Sequence, residues 1–199
     1  MKRVVGFLLA IVVLQATAAT TVATGLESYV SKVSSLIAPA KLATLGPRGA
    51  NPRVQKYVAL LAQAEADGLS PSKVAARAVA SVGMKGRAAK LTVSAMTRNL
   101  AIARRLGCLG EDGLKDMRRG TSPKVRRGPY QGDELSVDHI IPRAVVPELD
   151  NVIANLELMP MRMNGEKRAA IGDRQRDLAK KLNKAGLLTR QGLKAVIRN

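Results

Sequence analysis

One histidine, His139, occurs in the 199 residues, and it stands directly behind an acid in Val137-Asp138-His139-Ile140-Ile141-Pro142-Arg143. Asn155 follows 16 positions later, in Asn155-Leu156-Glu157-Leu158, and Asn164 follows 25 positions later, in Asn164-Gly165-Glu166-Lys167. An imidazole that titrates near neutrality can take a proton from water. Asp138 offers a charged oxygen to a hard divalent cation and Asn164 a neutral one. Such a cation offsets the negative charge that builds on a phosphoryl group under attack. Two protein ligands leave positions for water and phosphate oxygens, which suits Mg²⁺, with Mn²⁺ or another divalent ion as the alternative. Asn155 cannot act as acid or base, but its amide can orient the His139 ring or the loop behind it. Residues of these types suit hydrolysis of a phosphodiester.

The elements that must position them are short. Glu134 to Val137 is mixed apolar and reads as a strand that ends at Asp138. Pro142 and Pro147 make the next stretch irregular. Leu156 to Met159 is a second strand before Pro160. From Asn164 the pattern is helical to Ala185, with Gly186 as the stop, and Thr189 caps a last short helix to Ile197. Upstream, Leu26 to Leu109 is rich in Ala, Leu, Lys and Arg and reads as helices. They cover Leu26 to Ile37, Arg53 to Ala66, a helix capped by Ser70-Pro71 and ending near Val82, and Lys90 to Leu106. Gly110 to Arg119 holds a shorter one. Residues 120–132 contain Gly120, Ser122, Pro123, Gly128, Pro129 and Gly132, the composition of a connector.

Strand, irregular loop, strand and helix, with Asp-His leaving the first strand, is the layout of a ββα-metal site. Over residues 132–167 the chain resembles the HNH endonuclease family, in Gly132-x-x-Leu135-x-Val137-Asp138-His139-Ile140-Ile141-Pro142-Arg143, Asn155-Leu156 and Asn164-x-x-Lys167. It departs from that pattern in carrying Asn164 where many members have histidine, which makes it resemble the His-Asn-Asn branch. The paired cysteines of some members are absent, so apolar packing must hold the hairpin. The resemblance implies His139 as general base, Asn155 as its catalytic partner, and Asp138 and Asn164 as ligands to one divalent metal. It also implies products with 5′-phosphate and 3′-hydroxyl ends. The implied fold is mainly α with a small ββα-metal module, a helical N-terminal region and C-terminal helices.

The chain carries 33 Lys plus Arg against 15 Asp plus Glu, a formal charge of +18. Such a surplus favours a polyanionic partner, DNA or RNA, or an anionic membrane surface. Aromatic residues make up 2% and tryptophan is absent, which argues against binding by base stacking. Recognition through phosphates, with little sequence preference and a strong salt dependence, is expected. Arg143, Lys167 and Arg168 lie next to the Asp-His-Asn set, and Lys124, Arg126 and Arg127 lie in the connector; all six are candidate phosphate contacts. Glu148 and Asp150 are either outer partners of a metal or acids bonded within the loop. Met159, Met161 and Met163 read as gap-filling apolar residues.

Met1-Lys2-Arg3, the apolar run Val4 to Leu14 and Ala16-Thr17-Ala18 have the three parts of an export signal, cleaved before Ala19, with an uncleaved anchor as the alternative. Export to a periplasm or to the medium follows from cleavage. Cys108 is the single cysteine, which excludes an intramolecular disulfide and a four-cysteine zinc site. The expected organisation is a signal over 1–18, a helical basic region over 19–119, a linker over 120–132 and a nuclease module over 133–199. Two functions fit the composition. One is an exported metal-dependent endonuclease with low sequence specificity. The other is a non-catalytic polycation that coats nucleic acid or an envelope surface.

Overall fold

The computed structural model describes residues 24–167 and 170–199, so the expected signal segment and Arg168 lie outside the described residues. The chain is mainly helical with one two-stranded antiparallel sheet. No described helix is long and apolar enough to cross a membrane. Helix α1 covers residues 24–37, followed by α2 (Pro39–Ala43), α3 (Asn51–Ala66), α4 (Pro71–Ser81), α5 (Gly86–Arg105) and α6 (Glu111–Arg119). Strand β1 (Leu135–His139) and strand β2 (Leu156–Pro160) form the hairpin, and α7 (Met161–Lys167), α8 (Asp173–Lys184) and α9 (Arg190–Arg198) complete the chain.

Local signals account for most of these limits. Ser70 caps α4 by accepting from the Lys73 amide, with Pro71 in the first position. Thr189 caps α9 in the same way through the Gly192 amide. Helix α3 starts at Asn51 rather than Arg53, because Pro52 in the first turn has no intrahelical amide to lose. The helix expected from Asn164 to Ala185 is instead two helices. Helix α7 leaves β2 at once, its Met161 amide bonded to the Glu134 carbonyl. Helix α8 begins afresh at Asp173, behind an extended Gly172 whose amide donates to Gln175 Oε1. Asn164 therefore lies in the middle of α7 and not at a helix start. Met161 and Met163 on the same helix are 50% and 42% exposed, so of the three methionines only Met159 fills the interior.

Two apolar clusters divide the C-terminal part between them. Leu135, Leu156 and Leu158 of the hairpin join Tyr57, Leu61, Met96 and Met117 of the upstream helices in one core. Ile141, Val146 and Leu149 of the loop share a cluster with Leu182 of α8, Leu188 of the turn after it and Val196 of α9. Each fully buried leucine contributes about 1.5–3 kcal/mol, enough to hold a hairpin that has no metal-bound cysteines. Residues 120–132, expected as a connector, are packed into this fold. Val125 is fully buried, its amide donates to the Asp133 carbonyl, and the amides of Arg126 and Arg127 both reach the Leu106 carbonyl.

Helix side chains cover both open edges of the two-stranded sheet. Asn99, buried on α5, accepts from the Leu158 amide at 2.9 Å and donates to the Leu156 carbonyl at 3.1 Å and to the Tyr57 hydroxyl oxygen at 2.7 Å. One amide side chain thus does for β2 what a third strand would do. On the other side, Gln55 of α3 donates to the Leu135 carbonyl at 2.7 Å, and the Leu135 amide is bonded to the Pro123 carbonyl. Burial of Tyr57 holds its phenol well above the usual range, so it stays a neutral partner of Asn99. Cys108 is also enclosed, and burial pushes its thiol up to about 11.

An Asn99→Ala substitution leaves the Leu158 amide and the Leu156 carbonyl short of a partner in a site closed to water. The expected loss is about 2–4 kcal/mol, read as a lower urea midpoint at unchanged m-value. A loss below half a kcal/mol would show that Asn99 does not close the edge.

Candidate functional site

His139 ends β1 opposite Leu156, and the chain then turns into the 140–155 loop. The residue is only 6% exposed, because the loop folds back over it. Nε2 lies 2.9 Å from the backbone carbonyl of Asp150 and 2.9 Å from Asp150 Oδ1. Both oxygens only accept, so Nε2 must carry the proton. In the neutral ring Nδ1 is then the basic nitrogen. Nδ1 has no hydrogen-bond partner among the described residues and is not among the fully enclosed polar atoms. The ring as a whole lines two adjoining clefts, of about 290 and 520 Å³.

Asp138 and Asn164 line the same two clefts as His139. Three of the four residues chosen from the sequence, Asp138 and His139 from β1 and Asn164 from α7, therefore line the same hollows. Arg143 lines the larger cleft, 43% exposed, with Nη1 3.9 Å from Asp150 Oδ2. Asn155 is placed differently from a residue that meets substrate. It is fully buried, accepts from the Ile141 amide at 2.9 Å, donates to the Ile141 carbonyl at 3.0 Å, and takes the Ile140 amide on its own carbonyl. Of its two expected uses it performs the second: it ties the base of the loop, and among the described residues it makes no hydrogen bond to the ring.

Lys167 sits on the Asp138 carboxylate, and its ammonium also donates to the His139 carbonyl at 2.7 Å. Register explains the need for it. Asp138 is directly opposite Glu157 across the hairpin, and like charges in that position destabilise a strand pair. Each acid has its own cation. Glu157, 6% exposed, is bonded by Arg174 at 2.5 Å and has Arg98 Nε at 2.9 Å, an alignment too poor for a hydrogen bond. Burial lowers the affinity of Arg98 for its proton, and the Glu157 charge works against that shift.

Lys124, Arg126 and Arg127 are not on the walls of either cleft at His139. Lys124 pairs with Glu134 at 3.5 Å and Arg126 faces Asp112 at 3.9 Å, both around a separate cleft beside Cys108. Glu148 accepts from the Thr189 amide and hydroxyl, which joins the loop to α9. Among the described residues no group of three or more His, Cys, Asp or Glu could hold a metal ion, so an ion here would depend on Asp138, amide or carbonyl oxygens, and water.

Three contributors were not chosen from the sequence. Asp150 had two readings there, and it is the residue that holds the histidine. Arg48 and Asn51, from the helical region, reach the clefts because Asn151 binds the loop before α3. Its Oδ1 accepts from the Ala50 amide at 2.9 Å, and its Nδ2 donates to the carbonyls of Leu45 and Gly46 at 3.2 Å. A sequence separation of about a hundred residues left no local signal for that contact. The smaller cleft has Asn51 and Gln55 in its wall, with Asn51 Oδ1 and Gln55 Oε1 buried without a hydrogen-bond partner.

No family model, curated protein or solved structure matches the chain.

Because His139 is the single histidine, its imidazole nitrogens can be read without assignment. The neutral ring is expected as the Nε2–H tautomer in a long-range ¹H–¹⁵N spectrum; a proton on Nδ1 would contradict the geometry. An Asn155→Ala change removes the tie on Ile141 and leaves buried backbone groups unpaired. It should cost about 2–4 kcal/mol in urea unfolding and make the 140–155 loop an early site of proteolytic nicking.

Proposed function

We propose that the protein is an exported phosphodiesterase of the HNH type, an endonuclease acting on nucleic acid, DNA in the first place, with low sequence specificity. What supports this reading is the convergence of Asp138, His139 and Asn164 on the walls of the same two clefts, with Nδ1 of the ring left without a partner among the described residues. The expected charge of the mature chain is +16 after loss of Lys2 and Arg3 from +18, which suits a polyanionic substrate.

Asp150 sets the proton acceptor. Its carbonyl and carboxylate hold Nε2–H, so the ring can take a proton from water only at Nδ1. The resulting imidazolium is stabilised by the Asp150 carboxylate against which it already rests. Asn155 keeps the start of the loop in register, so that the ring and the Asp150 carbonyl do not drift apart. Arg143, at the rim of the larger cleft, is placed to pair with a phosphate oxygen.

The oxygens present fit a hard divalent cation. Asp138 Oδ2 and the His139 carbonyl already accept from one cation, the Lys167 ammonium, and the Asn164 amide on the same walls has no partner among the described residues. Asp138 and Asn164 would hold the ion, with Lys167 competing for the same carboxylate. When bound, the ion supplies charge compensation on phosphorus and at the departing 3′-oxygen.

Incubation of purified protein with supercoiled plasmid and Mg²⁺ or Mn²⁺ is expected to give nicked and then linear DNA. EDTA should stop the reaction, and His139→Ala should lower the rate by at least about 100-fold. Equal cutting by the His139→Ala protein and in EDTA would overturn the reading. Salt-dependent retention of DNA with no cleavage under any divalent ion would replace it by that of a polycationic binding protein.

A further inference from the structure

We propose that Arg48, an arginine of the helical region, is the residue that seats the nucleic-acid backbone against His139. The proposal rests on the phosphodiesterase reading and names the group through which that site holds its substrate.

Arg48, Asp138, His139 and Asn164 are the four residues common to both clefts. Arg48 therefore stands where two hollows meet at the reacting group. Two hollows that meet at His139 suit a chain that runs on in both directions, as internal cleavage requires. The cation at the junction is the one a phosphate would meet.

Arg48 is also uncommitted. Lys167 is held by Asp138, and Arg143 has Asp150 within 4 Å. The Arg48 guanidinium makes no ion pair or hydrogen bond with any described residue, and the side chain is exposed. A guanidinium presents paired donors that match two oxygens of one phosphate, which an ammonium does not.

The backbone points the same way. Arg48 has φ +57°, the left-handed region that favours glycine, and it is the one non-glycine residue with positive φ among the described residues. Gly46 and Gly49 lie within two positions of it, and neither takes a positive φ. Strain of this kind persists where surrounding contacts over-determine it. Here the Arg48 amide donates to Asp150 Oδ2 at 3.1 Å, while Asn151 binds the backbone on either side. Asp150 Oδ1 at the same time lies against His139 Nε2. One carboxylate thus keeps the arginine and the histidine in register, although they are 91 positions apart.

Arg48→Gly separates side chain from backbone, since glycine adopts this φ freely and keeps the amide bonded to Asp150. Three measurements on the full chain test the proposal: thermal unfolding, equilibrium binding of a short DNA duplex in EDTA, and plasmid cleavage in Mg²⁺. The variant is expected to unfold at the same temperature as the parent or higher. Its affinity for the duplex should fall roughly 10-fold to 100-fold, the slope of log K against log salt should become shallower by about one unit, and the cleavage rate should fall in step. Arg48→Lys should restore the salt slope without the full affinity. If Arg48→Gly binds and cuts like the parent with an unchanged slope, the proposal is overturned and the phosphodiesterase reading stands. If the parent itself neither cuts nor responds to His139→Ala, both fall together.

Discussion

The contact between Asp150 and His139 is the constraint on which the site depends. A carboxylate and a carbonyl of the same residue converge on one ring nitrogen. That arrangement decides the tautomer, the rotation of the ring, and which nitrogen meets the cleft. It requires the 140–155 loop to return to the end of β1, and the loop does so because Asn155 ties its two ends together and because Ile141, Val146 and Leu149 are buried against α8 and α9. The same carboxylate takes the Arg48 amide. The Asp150 carboxylate is thus where loop, strand and helical region meet.

A second constraint comes from the pairing register. Placing Asp138 opposite Glu157 puts two acids side by side on a hairpin only five residues deep. The hairpin tolerates this because three cations are brought to it from three helices: Lys167 from α7, Arg98 from α5 and Arg174 from α8. Glu157 is therefore structural, and its arginines draw α5 and α8 toward the hairpin. Among the described residues Asp138 is served by one cation, Lys167, and its carboxylate lines the clefts, where another cation can reach it. The two acids have the same charge and differ in how completely it is neutralised.

The cationic surplus divides along similar lines. Arg98, Arg174, Arg162 and Lys167 are engaged with acids around the hairpin. Arg162 also lies over the Tyr130 ring at 5.6 Å and, through Asp133, fixes α7 to the turn before β1. Its bonds lower the Asp133 pKa despite the opposing effect of burial. Net charge alone does not separate cations with such work from cations free to meet a phosphate. Geometry does, and at the clefts it singles out Arg48 and the loosely paired Arg143.

Much was legible in the sequence because it depends on neighbours in the chain. Ser70-Pro71 and Thr189 mark helix starts through bonds to amides three residues on, and the apolar runs around Val137 and Leu158 mark two strands. Asp138, His139, Asn155 and Asn164 could be chosen because their residue types limit the chemistry open to them, and Asp138 and His139 stay together because they are adjacent in the chain. Helix limits near glycine and proline drifted by a few residues, and the break between α7 and α8 was missed, since helical composition runs through it. What only the tertiary structure decided are contacts without a local signature. Residues 120–132 pack because Val125 finds a pocket, not because their composition asks for it. Asp150 holds His139, Asn99 closes the sheet edge, and Arg48 reaches the clefts from the other end of the chain. Composition and periodicity act over a few residues. Hydrogen bonds such as Asp150 to His139, 11 positions apart, or Arg48 to Asp150, 102 apart, depend on where the core brings the backbone, and those bonds aim the site.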